Sequence, residues 1–313
     1  MSLLPDACDL IQRLSPPDAG KIRAAIDQLE GADLKTATIE EMLTVIREVS
    51  AGFVMVIPEF LPSIPIFRAQ IGERPSNIRR MLYPPADLTP LGRANVPGKP
   101  VLYCATTRNA AVIEVAPEVG ERVTLAAWTT TRMIRLTHVG YHPESFSSLK
   151  SERPVAGWAG AAAQHADDEG SQLLARFMSG VFTQRVAEGE EAIYKLSNAI
   201  AQFLCAHETL DGLIYPTVRM SANADCIALR TETADAALKF ERTEHVRIDS
   251  RTATGYEVSR LDTASALLSD GDIQWRGGVE KWTIPVGGGL EFRTDVFGRT
   301  AWDQGGNIVE PDK

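Results

Sequence analysis

Between Gly92 and Glu114 the chain gathers Arg93, Asn95, Tyr103, Thr106, Thr107 and Glu114 within GRANVPGKPVLYCATTRNAAVIE. The set holds no strong base, so it suits a reaction whose leaving group departs without needing one. A nicotinamide–ribose bond is such a case: the leaving group is already cationic, and the transition state is an oxocarbenium-like sugar. A carboxylate beside that sugar stabilises the developing charge and can hold its hydroxyls. A guanidinium binds pyrophosphate bidentately, an aromatic ring stacks on the departing base, and a small hydroxyl residue positions the others. The residue types permit this chemistry without singling it out, because any chain of this length contains Arg, Tyr and Glu.

The elements that must position these groups are readable nearby. Gly92, Pro97, Gly98 and Pro100 mark turns around Arg93. Val101 to Ala105 is a short apolar run bounded by turn signals and predicts a buried strand. Thr106 or Thr107 can cap a helix starting near Asn109 and carrying Ala110, Ala111, Val112, Ile113 and Glu114. An acid on that apolar face is out of place, since a buried carboxylate costs free energy unless it is paired.

Away from this stretch, Ile22, Ile26 and Leu29 fall on one face of a helix following Pro16-Pro17-Asp18. A second helix opens at Thr38 with Glu41 completing a capping box, and carries Met42, Leu43, Ile46 and Val49 as its stripe. Prolines from Phe53 to Phe67 predict a linker. Strands are expected at Ile66 to Gln70, Val123 to Trp128, Met133 to Val139, Leu213 to Pro216 and Ala224 to Leu229, a polar loop at Glu144 to Arg153, and helix from about Ala156 to Val186 and around Ile193 to Leu204. The tail spreads Trp275, Trp282, Phe292, Phe297 and Trp302 among glycines and reads as a β-meander with the aromatics as its core. The organisation expected is a helical part over 1–60, an α+β domain over 61–240 and a β-rich part over 241–313.

With 313 residues, 44% hydrophobic and 23% charged, the composition is that of a globular protein. A net charge of −9 argues against wholesale nucleic-acid binding. Cys8, Cys104, Cys205 and Cys226 form no CxxC and read as reduced thiols. Met1 to Asp9 is short and acidic, so no signal peptide is expected, and no apolar run reaches the roughly 18 residues a membrane helix needs; the expected compartment is cytoplasmic, without membrane partners. Glycine-rich phosphate loops, HExxH and GxSxG are absent, so neither a metal site nor a Ser-His base is expected. The five histidines, His138, His142, His165, His207 and His245, are read as surface or loop residues.

The ordered set Gly92-Arg93-Ala94-Asn95, Gly98, Val101-Leu102-Tyr103 and Ala110 to Glu114 resembles the core signature of the RES domain family, named for its Arg, Glu and Ser. Asp211-Gly212-Leu213-Ile214-Tyr215-Pro216-Thr217-Val218-Arg219 resembles that family's DGI-Y-PS-x-R segment, and Asn223 to Leu229 its closing strand. The similarity runs from about Ile66 to Arg230. It implies an ADP-ribosyltransferase-like fold around a split sheet, and an enzyme that consumes NAD as its substrate, by phosphorolysis or hydrolysis or by ADP-ribosyl transfer, often as a toxin paired with an antitoxin protein. By the same resemblance Arg93 anchors a phosphate or ribose, Tyr103 packs on the nicotinamide, Glu114 faces the reacting ribose, and Thr217 stands where the family has serine. Arg68, Asn95 and Ser221 join the expected NAD-binding set. Asp225 departs from the expected Asn and brings a negative charge toward a phosphate position. Thr217 and Asp225 keep a second possibility open, a degenerate fold that binds a nucleotide or a protein without turnover.

Overall fold

The computed structural model describes residues 15–55, 57–151, 153, 168–187, 189–252, 255–277, 280–285 and 299–300. Its helices are α1 Ala19–Glu30, α2 Ile39–Val49, α3 Arg108–Val115, α4 Pro143–Ser148, α5 Glu169–Thr183, α6 Tyr194–Leu204 and α7 Thr231–Ala237. Its strands are β1 Glu59–Phe60, β2 Pro65–Ile71, β3 Val101–Ala105, β4 Arg122–Thr130, β5 Ile134–His138, β6 Gly212–Pro216, β7 Asp225–Arg230, β8 Leu238–Thr252, β9 Gly255–Ala264, β10 Glu280–Pro285 and β11 Arg299–Thr300.

The strands form one open, mixed sheet in the order β10-β9-β8-β4-β2-β3-β7-β6-β5-β1-β11. β5 and β6 run parallel, as do β1 and β11; the other neighbours are antiparallel. The sheet is split in its middle. β2 pairs with β4 along its whole length and β3 with β7 along its whole length, yet β2 meets β3 at a single register pair, Phe67 with Ala105. This is an α+β fold with N-terminal helices on one flank and C-terminal strands on the other.

Strand alternation assigns each face a core. Ile66, Ala126, Trp128, Ile214, Ile227 and Leu229 point into one cluster with Phe60 and Ile134. Their neighbours Phe67, Leu125 and Ala127 point to the other face, under the Ala110 to Ile113 stripe of α3. On the second half-sheet, Leu213, Tyr215, Cys226 and Ala228 pack against α5, α6 and the N-terminal helices. Both faces are therefore covered, and nearly every residue of β4 and β7 is buried.

α1 and α2 form as their caps predict. Asp18 accepts from the Lys21 N–H at 3.0 Å, and Thr38 and Glu41 exchange a full capping box. Ile22, Leu29, Met42, Leu43 and Ile46 share a core with Leu174, Phe177 and Phe182 of α5 and Ile200 of α6. At roughly 1.5–3 kcal/mol for each fully buried aliphatic side chain, this contact makes the pair part of the scaffold behind the site.

Several expectations meet a different structure. The polar loop expected over Glu144 to Arg153 begins instead inside α4: His142 caps this helix by accepting from the Glu144 N–H at 3.3 Å, Pro143 presets the first turn, and Ser145 and Phe146 are buried. His138 and His245 lie on β5 and β8. His245 is 3% exposed and bonded to Thr124 Oγ1 at 2.9 Å, a satisfied core histidine, and burial pushes the His138 imidazole down to about 3. His165 lies outside the described residues, as do Cys8, Phe292, Phe297, Trp302 and the side chain of Trp282. Trp275 donates to the Pro75 carbonyl at 3.0 Å. β8 begins before residue 241 and extends the main sheet by pairing along β4. Among the described residues no helix is long and apolar enough to cross a membrane, and no group of three His, Cys, Asp or Glu is placed to hold a metal ion.

Candidate active site

The Gly92 to Asn95 turn is built around the Tyr103 hydroxyl. That hydroxyl accepts from the Ala94 N–H at 2.8 Å and donates to Asn95 Oδ1 at 2.9 Å. Asn95 Nδ2 donates to the Pro90 carbonyl at 2.8 Å. A Cβ on Gly92 would sit 2.3 Å from Asn95 Oδ1, so only glycine fits there. Asn198 of α6, 1% exposed, shares its amide among the carbonyls of Gly92, Asn95 and Tyr194, and Ser197 Oγ donates to the Arg93 carbonyl at 2.8 Å. Asn198→Ala takes its donor from the Gly92 carbonyl and one of two donors from the Asn95 carbonyl, which keeps the Gly92 N–H at 3.0 Å. It is expected to lower the unfolding free energy by about 1–3 kcal/mol in a denaturant melt.

Held this way, Arg93 lies against the carbonyl end of α5. Its Nη1 donates to the Phe182 carbonyl at 2.7 Å and its Nη2 to the Gln184 carbonyl at 3.0 Å, with the guanidinium 5.3 Å from the Tyr194 ring centroid. The negative end of the helix favours a cation there, and the remaining N–H groups of the fork stay available for an anion.

Glu114 comes from the last turn of α3. Thr107 caps this helix, accepting from the Ala110 N–H at 3.1 Å, and Ala116 closes it in the left-handed conformation at φ 49°. Ala110 to Ile113 are buried beneath it. Glu114 Oε1 is shielded and has no hydrogen-bond partner, although the residue as a whole keeps some exposure. Burial pushes its carboxyl above the usual range, while the Arg219 and Arg93 guanidiniums and the Arg219 backbone N–H pull it back down.

Arg219 reaches the site from the Thr217 to Ala224 loop. The Thr217 N–H donates to the Ala224 carbonyl at 2.9 Å and the Ala222 N–H to the Thr217 carbonyl at 2.7 Å, closing a tight loop. Ser221 and Ala222 both take positive φ. Val218 and Met220, buried on either side, leave Arg219 facing outward.

These groups converge on one cavity of about 680 Å³, large enough for a dinucleotide. Arg93, Tyr103, Glu114, Tyr215 and Arg219 line it, with Arg185 and Tyr194 on one side and Arg251, Thr252 and Tyr256 of the β8–β9 hairpin on another. Behind Glu114 a smaller cavity of about 210 Å³ has Arg68, Cys104, Ala111, Tyr215 and Cys226 in its wall.

Of the residues singled out in the sequence, the large cavity brings together Arg93, Tyr103 and Glu114. Arg68 lies at the split instead, donating from Nη1 to the Tyr103 carbonyl at 2.9 Å and lining the rear cavity. Asn95 is buried within the turn, Ser221 is placed in the left-handed bend, and Thr217 is fully buried; none of the three is on the wall of the large cavity. Asp225 brings no charge to that wall. Its carboxylate is buried and paired bidentately with Arg153 at 2.7 and 2.8 Å, and it accepts from the Tyr141 hydroxyl at 2.8 Å.

Sequence reasoning named Arg219 and Tyr215 only as letters of a motif. It gave no role to Asn198, whose signal is a polar residue on the buried stripe of α6, or to Arg251 and Tyr256, which follow no local pattern.

The RES domain matches the chain over residues 65–251, a span that includes Arg93, Tyr103, Glu114 and the Arg219 loop. No curated protein matches the chain. With a match covering more than half its length, this chain belongs to the RES domain family.

Proposed function

We propose that the protein cleaves the nicotinamide–ribose bond of NAD and passes the ADP-ribosyl group to phosphate or water. The observation that carries this reading is a shielded carboxylate, Glu114, sharing a dinucleotide-sized cavity with two guanidiniums and an aromatic ring. As the bond breaks, its electron pair moves to the ring nitrogen and discharges the pyridinium. Positive charge gathers on the ribose carbon, where the Glu114 carboxylate stabilises it. An oxygen of the acceptor then bonds to that carbon, and any proton it carries leaves to Glu114 or solvent. Arg93, oriented by the end of α5, holds the pyrophosphate. The Tyr103 hydroxyl is committed to Ala94 and Asn95, and burial pushes it up, so this residue offers its ring face and no proton. The reading extends to a cytoplasmic toxin held in check by an antitoxin protein, as the family resemblance implies.

The test is release of free nicotinamide from NAD by the purified protein, with and without phosphate. Phosphorolysis yields ADP-ribose 1″-phosphate, hydrolysis yields ADP-ribose, and transfer to a macromolecule labels a partner. NAD left intact both with and without phosphate overturns the proposal. One observation favours a second reading, a module that binds without turnover: Thr217, where the family has serine, is fully buried and off the cavity wall. Calorimetric binding of NAD with no product formed distinguishes it.

A further inference from the structure

The large cavity carries more positive charge than a plain dinucleotide requires. Four arginines, Arg93, Arg185, Arg219 and Arg251, stand in its wall against one acid, Glu114. This occurs in a chain whose net charge is −9. Elsewhere among the described residues the arginines are mostly tied to carboxylates, among them Arg122, Arg132, Arg135, Arg176 and Arg247. Among the described residues, no ion pair engages Arg185, Arg219 or Arg251. NAD offers two phosphate charges. Arg93 and Arg219, the two that act on Glu114, suffice to meet them.

Arg251 belongs to a different wall. It pairs across β8 and β9 with Tyr256, so the two side chains leave the sheet on the same face. Both line the cavity, Arg251 exposed and the Tyr256 ring largely buried. A guanidinium beside an aromatic ring matches a purine nucleoside bearing a phosphate: the ring packs against the base and the fork takes the phosphate oxygens. Tyr256 also lies beyond the span matched by the family, 65–251, so this wall extends past that match.

We propose that the β8–β9 wall recognises a third phosphate, and that the preferred substrate is a dinucleotide carrying a 2′-phosphate on its adenosine ribose, as in NADP. That group adds about −1.5 to −2 charges at neutral pH and has its complement in Arg251. The inference rests on the proposed cleavage reaction for its readout.

The test compares initial rates of nicotinamide release from NADP+ and NAD+ by the full chain and by Arg251→Gln. The unmodified protein is expected to show a kcat/KM at least ~10-fold higher for NADP+, the size of one charge-assisted contact. Arg251→Gln is expected to bring the NADP+ to NAD+ ratio of kcat/KM down toward one, chiefly by raising KM for NADP+. Equal rates on the two substrates, or equal losses on both in the variant, overturn the inference and leave NAD cleavage standing. If neither dinucleotide is cleaved, the catalytic reading fails and calorimetry decides the inference: tighter binding of NADP+ that is lost in Arg251→Gln sustains it, and equal or absent binding overturns it.

Discussion

Glu114→Gln is expected to cut kcat/KM for nicotinamide release by at least ~10²-fold, the loss seen when one group stabilising a transition-state charge is removed. The same variant is expected to melt at a higher temperature than the unmodified protein at neutral pH. Both outcomes have one cause. The carboxylate is kept in a shielded position, with Oε1 unpartnered, where burial disfavours its charge and Arg219 and Arg93 only partly compensate. Because its folded-state pKa lies above the ordinary value, the native state holds the Glu114 proton more tightly than the unfolded chain does. The cost to stability is therefore complete at pH values above the raised pKa. It shrinks as pH falls from there toward the ordinary value of 4.5. The stability gap between variant and parent should accordingly narrow on acidification. Over the same window the activity of the parent should fall, as the carboxylate proposed to face the ribose is neutralised. A variant that retains its rate, or a parent whose acid limb lies below the ordinary glutamate range, would remove Glu114 from the reaction.

Asp225→Asn is expected to lower the unfolding free energy by about 3–5 kcal/mol, the cost of breaking a buried ion pair from one side. Asp225 is fully buried, and the side chain of Arg153 is 4% exposed. Their bidentate bonds are joined by Tyr141, while the Asp225 N–H donates to Thr106 Oγ1 at 3.2 Å. Removing the charge strands a guanidinium in the interior, 5.6 Å from the Phe146 ring centroid. Denaturant unfolding at constant slope measures the loss. Adding Arg153→Met should recover most of it, because an apolar side chain of similar length no longer needs the carboxylate. Activity per folded molecule should survive both changes, since Asp225 is absent from the cavity wall. A single variant within about 1 kcal/mol of the parent would show that the pair contributes less than buried pairs usually do.

The asparagine that the family resemblance expects at position 225 is thus a case where sequence misled for a physical reason. A charge at that position looks like a charge at the site until Arg153, 72 residues away in sequence, is seen to claim it. Local rules did well where the causes are local. The Thr38 capping box, the cap at Thr107, the short strand at Val101 and the acid closing α3 all follow from neighbours within one turn or one strand. Arg93 was legible as a candidate and does line the cavity, but its orientation was not legible, because the carbonyls that aim it come from the far end of α5. Arg68 was expected in the NAD-binding set; that it lies at the split instead depends on how β2 and β3 diverge, which no pattern of residues within β2 records. α4 was missed because its polar letters outweighed the proline and cap that start it. The β8–β9 wall was missed because a tail rich in glycine and aromatics gives no hint of which cavity its first hairpin completes.

The single register pair joining β2 to β3 has a consequence for how this protein could be controlled. With no ladder between the half-sheets, the Glu114 side chain borders a void on its far side as well as the large cleft in front. A compact inhibitor lodged in that rear space would touch the acid from outside the cavity proposed for the dinucleotide. It would depress kcat while leaving KM nearly untouched, the signature of a non-competitive drug.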